Sequence, residues 1–361
     1  MAYQVKLHEL GLTIVVDYKA LPIVAGGLAG DNTLAISDDG INWTGLGTDI
    51  FTGACHDIAY NGDMLVAVGE SSAGAGVLAH SYDGISWITD SSPLGGALYT
   101  VCWSSELKIW VIGGEPLIDG SDKYSTAFSY TGTWWTAADD PTQFATACHN
   151  IAWDGEVFLA TGILNDDPLY SSVDGINWTE VTTWDELFAS GPGRKLGTAY
   201  GWMMGGTSSI TYPTTLALFD LDSAVDWGKT LFESQCNALA YDDDGLVVAG
   251  GVGTNTLAYA AASDVSSEGA WTGLGLIGLG GVSDISFGSD ASQNPIWISI
   301  GWGTEARPYE LAYSYNGIDW ESVSEEEFLF NIGYCVCAGE EHYVELITAL
   351  LDAYGPRVWM M

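Results

Sequence analysis

Short apolar runs alternate with glycine-containing turns along the whole chain. In one unit the runs 56–60 and 64–69 flank Asn61-Gly62, and a third apolar run and a polar turn follow at 78–87. Asn-Gly between two apolar runs is a strong signal for a β-hairpin. The pattern therefore predicts four short antiparallel strands in each unit of roughly 45 residues.

The turn between the third and fourth predicted strands repeats the sequence Ser-x-Asp-Gly-x-x-Trp. It is complete at 37–43, 81–87 and 172–178, carries Asn for Asp at 314–320, and lacks the Asp at 129–135. Two further copies are reduced to their tryptophans. The residues of these turns are Ser37, Asp39, Gly40, Trp43, Ser81, Asp83, Gly84, Trp87, Gly132, Trp135, Ser172, Asp174, Gly175, Trp178, Trp227, Trp271, Ser314, Gly317 and Trp320. We interpret them as structural, because Gly relaxes the backbone, Ser and Asp bond turn amides and Trp packs on the strands.

The seven tryptophans of these turns lie 43 to 49 residues apart. This period, with four strands in each unit, predicts an all-β protein, a β-propeller of four-stranded antiparallel blades forming one domain over 1–361. Segments near the C-terminus resemble the first three strands of a further blade, so we expect eight blades, with seven as the alternative. An N-terminal closing strand at 1–8 would complete the ring. The predicted blades are approximately 9–47, 54–90, 98–138, 147–183, 193–230, 235–274, 282–323 and 331–361.

Composition restricts the partners and the compartment. The chain has 47 acidic and 9 basic residues and a formal net charge of −38. Because a phosphate backbone would be repelled, we expect no nucleic-acid partner. No apolar run approaches the roughly 18 residues of a membrane span, and the N-terminus lacks a signal-peptide pattern, so no membrane insertion is expected. The six cysteines are interpreted as small buried hydrophobic residues, which fits folding in a reducing compartment.

The repeated turns resemble the Asp-box, or bacterial neuraminidase repeat, of sialidase-like propellers. The resemblance extends over 40–361 and implies a propeller, although one residue fewer separates Asp from Trp than is usual in that family. It does not extend to the sialidase catalytic set, because no arginine precedes Arg194. Short Asp-Gly-Ile-Asn-Trp repeats that are poor in Lys and Arg also resemble propeller proteins of phages and large viruses. That likeness implies a tail, fibre or capsid-decorating component.

Candidate chemistry is sparse. The chain contains no Gly-x-Ser-x-Gly, P-loop or HExxH motif, so we expect no enzyme and no cofactor. His56 and His149 occupy equivalent repeat positions and are expected on innermost strands, lining the core or the channel. Acid-rich loops supply weak Ca²⁺ candidates without EF-hand spacing, which we interpret as solvated turn residues. These candidates are Asp119, Asp122, Asp166, Asp167, Asp242, Asp243 and Asp244.

The sequence predicts a non-enzymatic structural and recognition propeller. We expect a virion component that folds in the host cytoplasm, or alternatively an extracellular or cell-surface protein. Expected partners are other structural proteins of an assembly and a cell-surface glycan, bound by the long loops 70–76, 115–123 and 303–309. The alternatives are a glycan-active hydrolase of sialidase-like architecture and an assembly factor, which would need a basic patch.

Overall fold

In the computed structural model the described residues form 31 β-strands and one 3₁₀ helix, Ala262–Asp264. The structure describes residues 2–7, 12–17, 21–119, 122–138, 144, 146–162, 169–181, 193–195, 202–205, 216–220, 223–229, 231–242, 244–267, 269–304, 309–323, 329–338 and 358–360. The all-β class predicted from the repeat is confirmed.

The strands are numbered β1 to β31 along the chain. The first are β1 (Ala2–Leu7), β2 (Leu12–Asp17), β3 (Ile23–Leu28), β4 (Leu34–Ser37), β5 (Trp43–Gly45), β6 (Ala54–Tyr60), β7 (Leu65–Glu70), β8 (Gly76–Ser81) and β9 (Ile88–Asp90). Then come β10 (Leu98–Ser104), β11 (Ile109–Asp119), β12 (Asp122–Ser129), β13 (Thr136–Ala137), β14 (Cys148–Trp153), β15 (Phe158–Gly162), β16 (Tyr170–Ser172) and β17 (Thr179–Glu180). They continue with β18 (Gly193–Lys195), β19 (Trp202–Gly205), β20 (Leu216–Asp220), β21 (Ser223–Lys229), β22 (Gln235–Tyr241), β23 (Leu246–Val252), β24 (Leu257–Ala261) and β25 (Thr272–Gly273). The last are β26 (Gly281–Ser289), β27 (Pro295–Trp302), β28 (Leu311–Ser314), β29 (Glu321–Ser322), β30 (Ile332–Cys337) and β31 (Val358–Met360).

Consecutive strands pair antiparallel into four-stranded sheets, which we call blades. Blade 2 is β6–β9, blade 3 is β10–β13, blade 4 is β14–β17, blade 5 is β18–β21, blade 6 is β22–β25 and blade 7 is β26–β29. Blade 1 combines β30 with β3, β4 and β5. The first strand of each blade contacts the first strands of its neighbours, so these strands form the inner wall of the ring.

The hydrophobic core lies between blades rather than within one sheet. In one cluster Val66 and Leu78 of blade 2 pack with Val101 and Trp110 of blade 3. In another, Ile298 of blade 7 packs with residues of blade 1. Six such clusters join neighbouring blades in the described part of the chain. Blades therefore stabilise one another by burying a face on each side, as in other radial β architectures.

Side-chain sizes at these interfaces are complementary. A Cβ placed on Gly26 would lie 2.7 Å from the Sγ of Cys55 in the next blade. A Cβ on Gly333 would lie 2.2 Å from Cγ1 of Ile300. One partner in each pair lacks a side chain and the other fills the space, as close packing requires. All six cysteines are free thiols. Cys55, Cys148, Cys236 and Cys335 are buried, as predicted, whereas Cys102 and Cys337 are half-buried.

The ring closes differently from the eight-blade prediction. β30, which was expected to begin an eighth blade at 331–361, pairs instead with β3 and becomes the inner strand of blade 1. β1, the expected closing strand, pairs with β31 near the C-terminus, as predicted, but it also pairs with β2, and these three strands form a separate sheet. The predicted strand at 342–347 lies outside the described residues.

The reason is that β2, the first strand within 9–47, pairs with β1 and not with β3, so the rest of this segment does not make a complete blade. Its strands β3, β4 and β5 supply the three outer positions, and the inner position is filled by β30, whose Cys335 and Val336 are buried. Eight blades are therefore not confirmed. The described strands form seven four-stranded sets and the separate three-stranded sheet, and blades 1 and 2 are joined by a single pair, Leu28 with Ala54.

Candidate functional site

The Ser-Asp-Gly-Trp turns are held by their own side chains. Gly40 has φ +74°, and its N–H donates to Ser37 Oγ at 2.8 Å. The carboxylate of Asp39 accepts the N–H of Asn42 at 2.7 Å. Trp43 Nε1 donates to the carbonyl oxygen of Gly40 at 3.1 Å. The polar groups of the turn thus satisfy one another locally.

The other copies follow this pattern with small differences. The same hydrogen bond, from the N–H of the Gly to the Oγ of the Ser, measures 2.8–2.9 Å in the turns that contain Gly84, Gly132, Gly175 and Gly317. The further turn residues with such bonds are Ser81, Asp83, Trp87, Trp135, Ser172, Asp174, Ser314 and Trp320.

Three tryptophans depart from the common bond. Trp178 is buried, yet its Nε1 has no partner among the described residues. Trp271 Nε1 donates to the carbonyl of Val265, six residues upstream, at 3.0 Å. Trp227 lies in β21, where its backbone pairs with Leu218.

A bulge interrupts six innermost strands near their beginnings. The pairing skips one residue in β6, β10, β14, β22, β26 and β30. The skipped residues are His56, Tyr99, His149, Asn237, Ser283 and Tyr334. A bulge leaves one residue unpaired and redirects its side chain. His56 and His149 therefore lie on innermost strands, as the repeat predicted.

The other half of these strands lines a cavity of about 900 Å³. Its wall includes the polar residues Asp57, Asn150 and Asp284. Five aromatic side chains line the cavity near the ends of the inner strands of blades 2, 3, 4, 6 and 7, and we call this aromatic end of the cavity its opening: Tyr60, Trp103, Trp153, Tyr241 and Phe287. A cavity of this size, with aromatic walls and a few polar groups, has the usual character of a ligand site.

The acids of the wall are occupied by contacts between blades. The carboxylate of Asp57 accepts the backbone N–H of Val101 at 2.9 Å and the hydroxyl of Thr100 at 3.1 Å. Asp284 accepts the N–H of Val336 at 3.0 Å. Each acid thus satisfies a backbone amide of the next inner strand, a buried group that is costly to leave unpaired.

Neighbouring residues hold two of the five aromatic side chains at the opening. Trp103 packs on Trp110 with ring centroids 4.9 Å apart, and Trp153 Nε1 donates to Glu106 Oε2 at 2.7 Å. Tyr241 is 51% exposed. Trp103 and Trp153 are therefore held in place before any ligand arrives, which lowers the entropic cost of binding.

Stacked rings occupy the opposite end of the channel. Tyr334, His56, Tyr99 and His149 come from four consecutive blades, and successive centroids lie 5.2, 5.1 and 4.7 Å apart. Burial lowers the pKa of His56 to about 4, with a smaller contribution from His149, and burial also lowers the pKa of His149. Both imidazoles are therefore neutral at pH 7.

Two carboxylates border this stack. Glu70 Oε1 lies 3.6 Å from His56 Nε2, and the Tyr99 hydroxyl donates to Glu115 Oε1 at 3.3 Å. Burial raises the pKa of Glu70, and the charge of Glu115 raises it further. Burial followed by the charges of Glu115 and Glu70 raises the pKa of Tyr99 to about 12. Glu70 and Glu115 therefore place negative charge in the same region, next to His56 and Tyr99.

The Ca²⁺ candidates do not converge where they are described. Asp119 and Asp122 pair at the end of the β11–β12 hairpin, and Asp242 Oδ1 accepts the N–H of Leu246 at 2.7 Å. Asp244 lies in the same turn as Asp242, while Asp166, Asp167 and Asp243 lie outside the described residues. Within the described ranges no group of three or more His, Cys, Asp or Glu side chains is arranged to hold a metal ion.

Sequence reasoning missed several of these residues. The aromatic ends of the inner strands recur with the repeat, and that recurrence was the available signal. Glu70 and Glu115 each follow a glycine in consecutive units, at the start of two loops already singled out as binding candidates. Loop 303–309 is described only at its ends. Among the helical residues that the structure describes, none belongs to a helix long and apolar enough to cross a membrane.

No protein-family model and no curated protein matches this chain. Several solved structures do match this chain. A chain of the mitotic checkpoint complex aligns at TM-score 0.51 and 11% identity, covering 87% of this chain and 88% of that one. Virginiamycin B lyase from Staphylococcus aureus aligns at TM-score 0.60 and 9% identity, covering 81% and 91%. The Pan2 WD40 domain of Neurospora crassa gives TM-score 0.48 and 9% identity, covering 76% and 79%. At these identities the likeness concerns the fold alone, and the fold is a β-propeller.

Proposed function

We propose that this chain is a non-enzymatic recognition propeller that binds a glycan in the cavity at the aromatic end of its channel. The observation that carries the proposal is the set of five aromatic side chains from five blades that line a cavity of about 900 Å³. Aromatic faces offer apolar area, and the hydroxyl or indole N–H at their edges bonds polar ligands. Sugar rings, which have apolar faces and polar edges, match such a lining.

The acids in the wall support binding over hydrolysis. A glycosidase needs two carboxyl groups free to exchange protons with the substrate. Asp57 and Asp284 each accept a backbone N–H from the neighbouring strand instead, which commits them to holding the ring together. The glycan-active hydrolase of the sequence analysis remains the second candidate, since a propeller with a similar fold, the lyase from Staphylococcus aureus, is an enzyme.

The location of the protein is proposed from the sequence resemblance to viral Asp-box propellers. A virion component that folds in the host cytoplasm fits six free thiols and a surface with net charge −38. Proteomic measurement of purified particles of the source virus tests this part. We expect the protein at stoichiometric level, and its absence from particles would contradict the virion role without affecting the glycan site.

Glycan binding is tested on an oligosaccharide array, followed by calorimetry with the best ligand. We expect Trp153→Ala and Tyr241→Ala to weaken binding by roughly tenfold or more each, because each removes an aromatic contact of the opening. Trp134→Ala is the matched control, since Trp134 is 80% exposed and outside the cavity lining. Equal loss in the control, or no array ligand that depends on Trp153, would overturn the glycan site.

The hydrolase alternative is tested in parallel with a panel of fluorogenic glycosides. The proposal expects no turnover by the wild-type protein. Turnover that disappears in Asp57→Asn or Asp284→Asn, while both variants stay folded, would favour the hydrolase.

A further inference from the structure

The cluster at the other end of the channel has the composition of a cation site. We propose that Glu70, Glu115, His56, Tyr99 and Tyr334 bind the side chain of an arginine presented by a protein or peptide partner. This arginine site lies beyond the proposed glycan site, because the aromatic opening stands at the far ends of the same inner strands.

Aromatic faces supply the first part of the argument. Tyr334 stacks on His56, and the ring of Tyr99 contacts His56 at a tilt of 49°, so the three rings line one region across blades 1, 2 and 3. Tyr99 and Tyr334 are only half-buried. A guanidinium group binds over such faces within about 6 Å of a ring centroid, most strongly where water is partly excluded. Because both histidines of the stack are neutral, they do not repel a cation.

The second observation concerns the ion-pair partners of the carboxylates of Glu70 and Glu115. In the described part of the chain no lysine or arginine forms an ion pair with Glu70 or Glu115. Burial raises the pKa of Glu70 and the charge of Glu115 raises it further, and a bound cation would offset both effects on the Glu70 carboxylate. Carboxylates are the preferred partners of the planar guanidinium group, which can bond two oxygens at once.

The third observation is a buried nitrogen of the His56 ring that can accept a hydrogen bond. His56 Nε2 is buried and lacks a hydrogen-bond partner among the described residues, since Glu70 Oε1 at 3.6 Å is beyond bonding distance. The neutral imidazole has one ring nitrogen with a free lone pair, which can accept an N–H. A guanidinium that bonds Glu70 would bring its remaining N–H groups within reach of this atom.

The anionic surface supplies the long-range attraction. With a net charge of −38, the chain attracts basic partners before contact, and this accelerates association at low salt. The two glutamates occur at equivalent positions of blades 2 and 3, whereas the matching residues Leu28, Val252 and Trp302 of blades 1, 6 and 7 are apolar. The acids are therefore a local feature of the blades that carry His56 and Tyr99.

The probe is the peptide acetyl-Gly-Arg-Gly-amide, titrated into the full chain by calorimetry at low salt. The control ligand replaces arginine by citrulline, which has nearly the same shape and no charge. We expect saturable binding of the arginine peptide and at least roughly tenfold weaker binding of the citrulline peptide. No saturation of the folded protein up to about 10 mM peptide would overturn the proposal.

Variants then locate the site. Glu70→Gln with Glu115→Gln should weaken binding roughly tenfold or more, and Tyr99→Leu should weaken it as well. The charge-matched control is Asp63→Asn with Glu156→Gln, two exposed acids in hairpin turns at the opposite end of the inner strands. Equal weakening in this control, or unchanged binding by the glutamate variant, would contradict the site. If the double variant does not fold, Glu115→Gln alone replaces it, because Glu115 is exposed.

Discussion

The carboxylate of Asp284 accepts the backbone N–H of Val336 at 3.0 Å. The bond joins the inner strand of blade 7 to that of blade 1, where the two ends of the ring meet. Asp57 makes the same bond to Val101 between blades 2 and 3. Repeat-equivalent side chains therefore tie inner strands together, and the contact that closes the ring is one of them.

We expect Asp284→Ala to destabilise the protein by about 1–3 kcal/mol, because it leaves the buried N–H of Val336 without this partner. The free energy of unfolding, measured with urea, checks this. Asp63→Ala, in an exposed turn, is the control and should change stability little. Equal stability of the two variants would show that the bond does not support closure.

Gly333→Ala should cost about 1–3 kcal/mol by overpacking, because the new methyl group would lie 2.2 Å from Ile300 Cγ1. In the Ile300→Ala background the same change should cost much less, since the clashing atoms are gone. A double-mutant cycle of urea unfolding curves measures the coupling. Additive effects would mean that the two residues do not share one space.

Asp83 should contribute stability that is lost in acid. The N–H of Ser86 lowers the pKa of Asp83, against the opposing effect of burial. A lowered native pKa gives stability above the ordinary aspartate value of about 3.9, and this stability is lost as the pH falls through the native pKa. Asp83→Asn should keep the turn, because the copy at 314–320 carries Asn316 with bonds to the same two turn amides.

The measurement is the free energy of unfolding of both proteins between about pH 6 and pH 3. We expect the advantage of wild type over Asp83→Asn to decrease as the pH falls. Asp63→Asn corrects for the general effect of removing one charge from an acidic protein. A difference that stays constant after this correction would contradict the role of Asp83.

Trp135→Phe should be more destabilising than Trp178→Phe by roughly 1 kcal/mol. The two side chains are equivalent and both buried, but only Trp135 Nε1 has a partner, the Gly132 carbonyl at 3.1 Å. The comparison removes similar ring area from each site, so the hydrogen bond accounts for the difference. Thermal unfolding of the two variants checks it, and equal losses would show that the bond contributes nothing.

The grouping of aromatic and acidic residues at the two channel ends was not predicted from the sequence. Each is visible in the sequence as part of its own repeat. Their convergence depends on seven inner strands meeting at one axis, and no local pattern encodes which side chains then face each other. His56 and His149 were predicted on inner strands, but their stacking through Tyr99 required the bulges that redirect those side chains.

The sequence by itself determined the repeat, the four-stranded unit and the chemistry of the Ser-Asp-Gly-Trp turns. The bonds within the turns join residues at most six positions apart, such as Trp43 to Gly40, so local sequence is sufficient for them. Only the tertiary structure decided how the ring closes. The pairing of β3 with β30 joins segments some 300 residues apart through backbone groups, which every residue carries and which therefore leave no signature in the sequence.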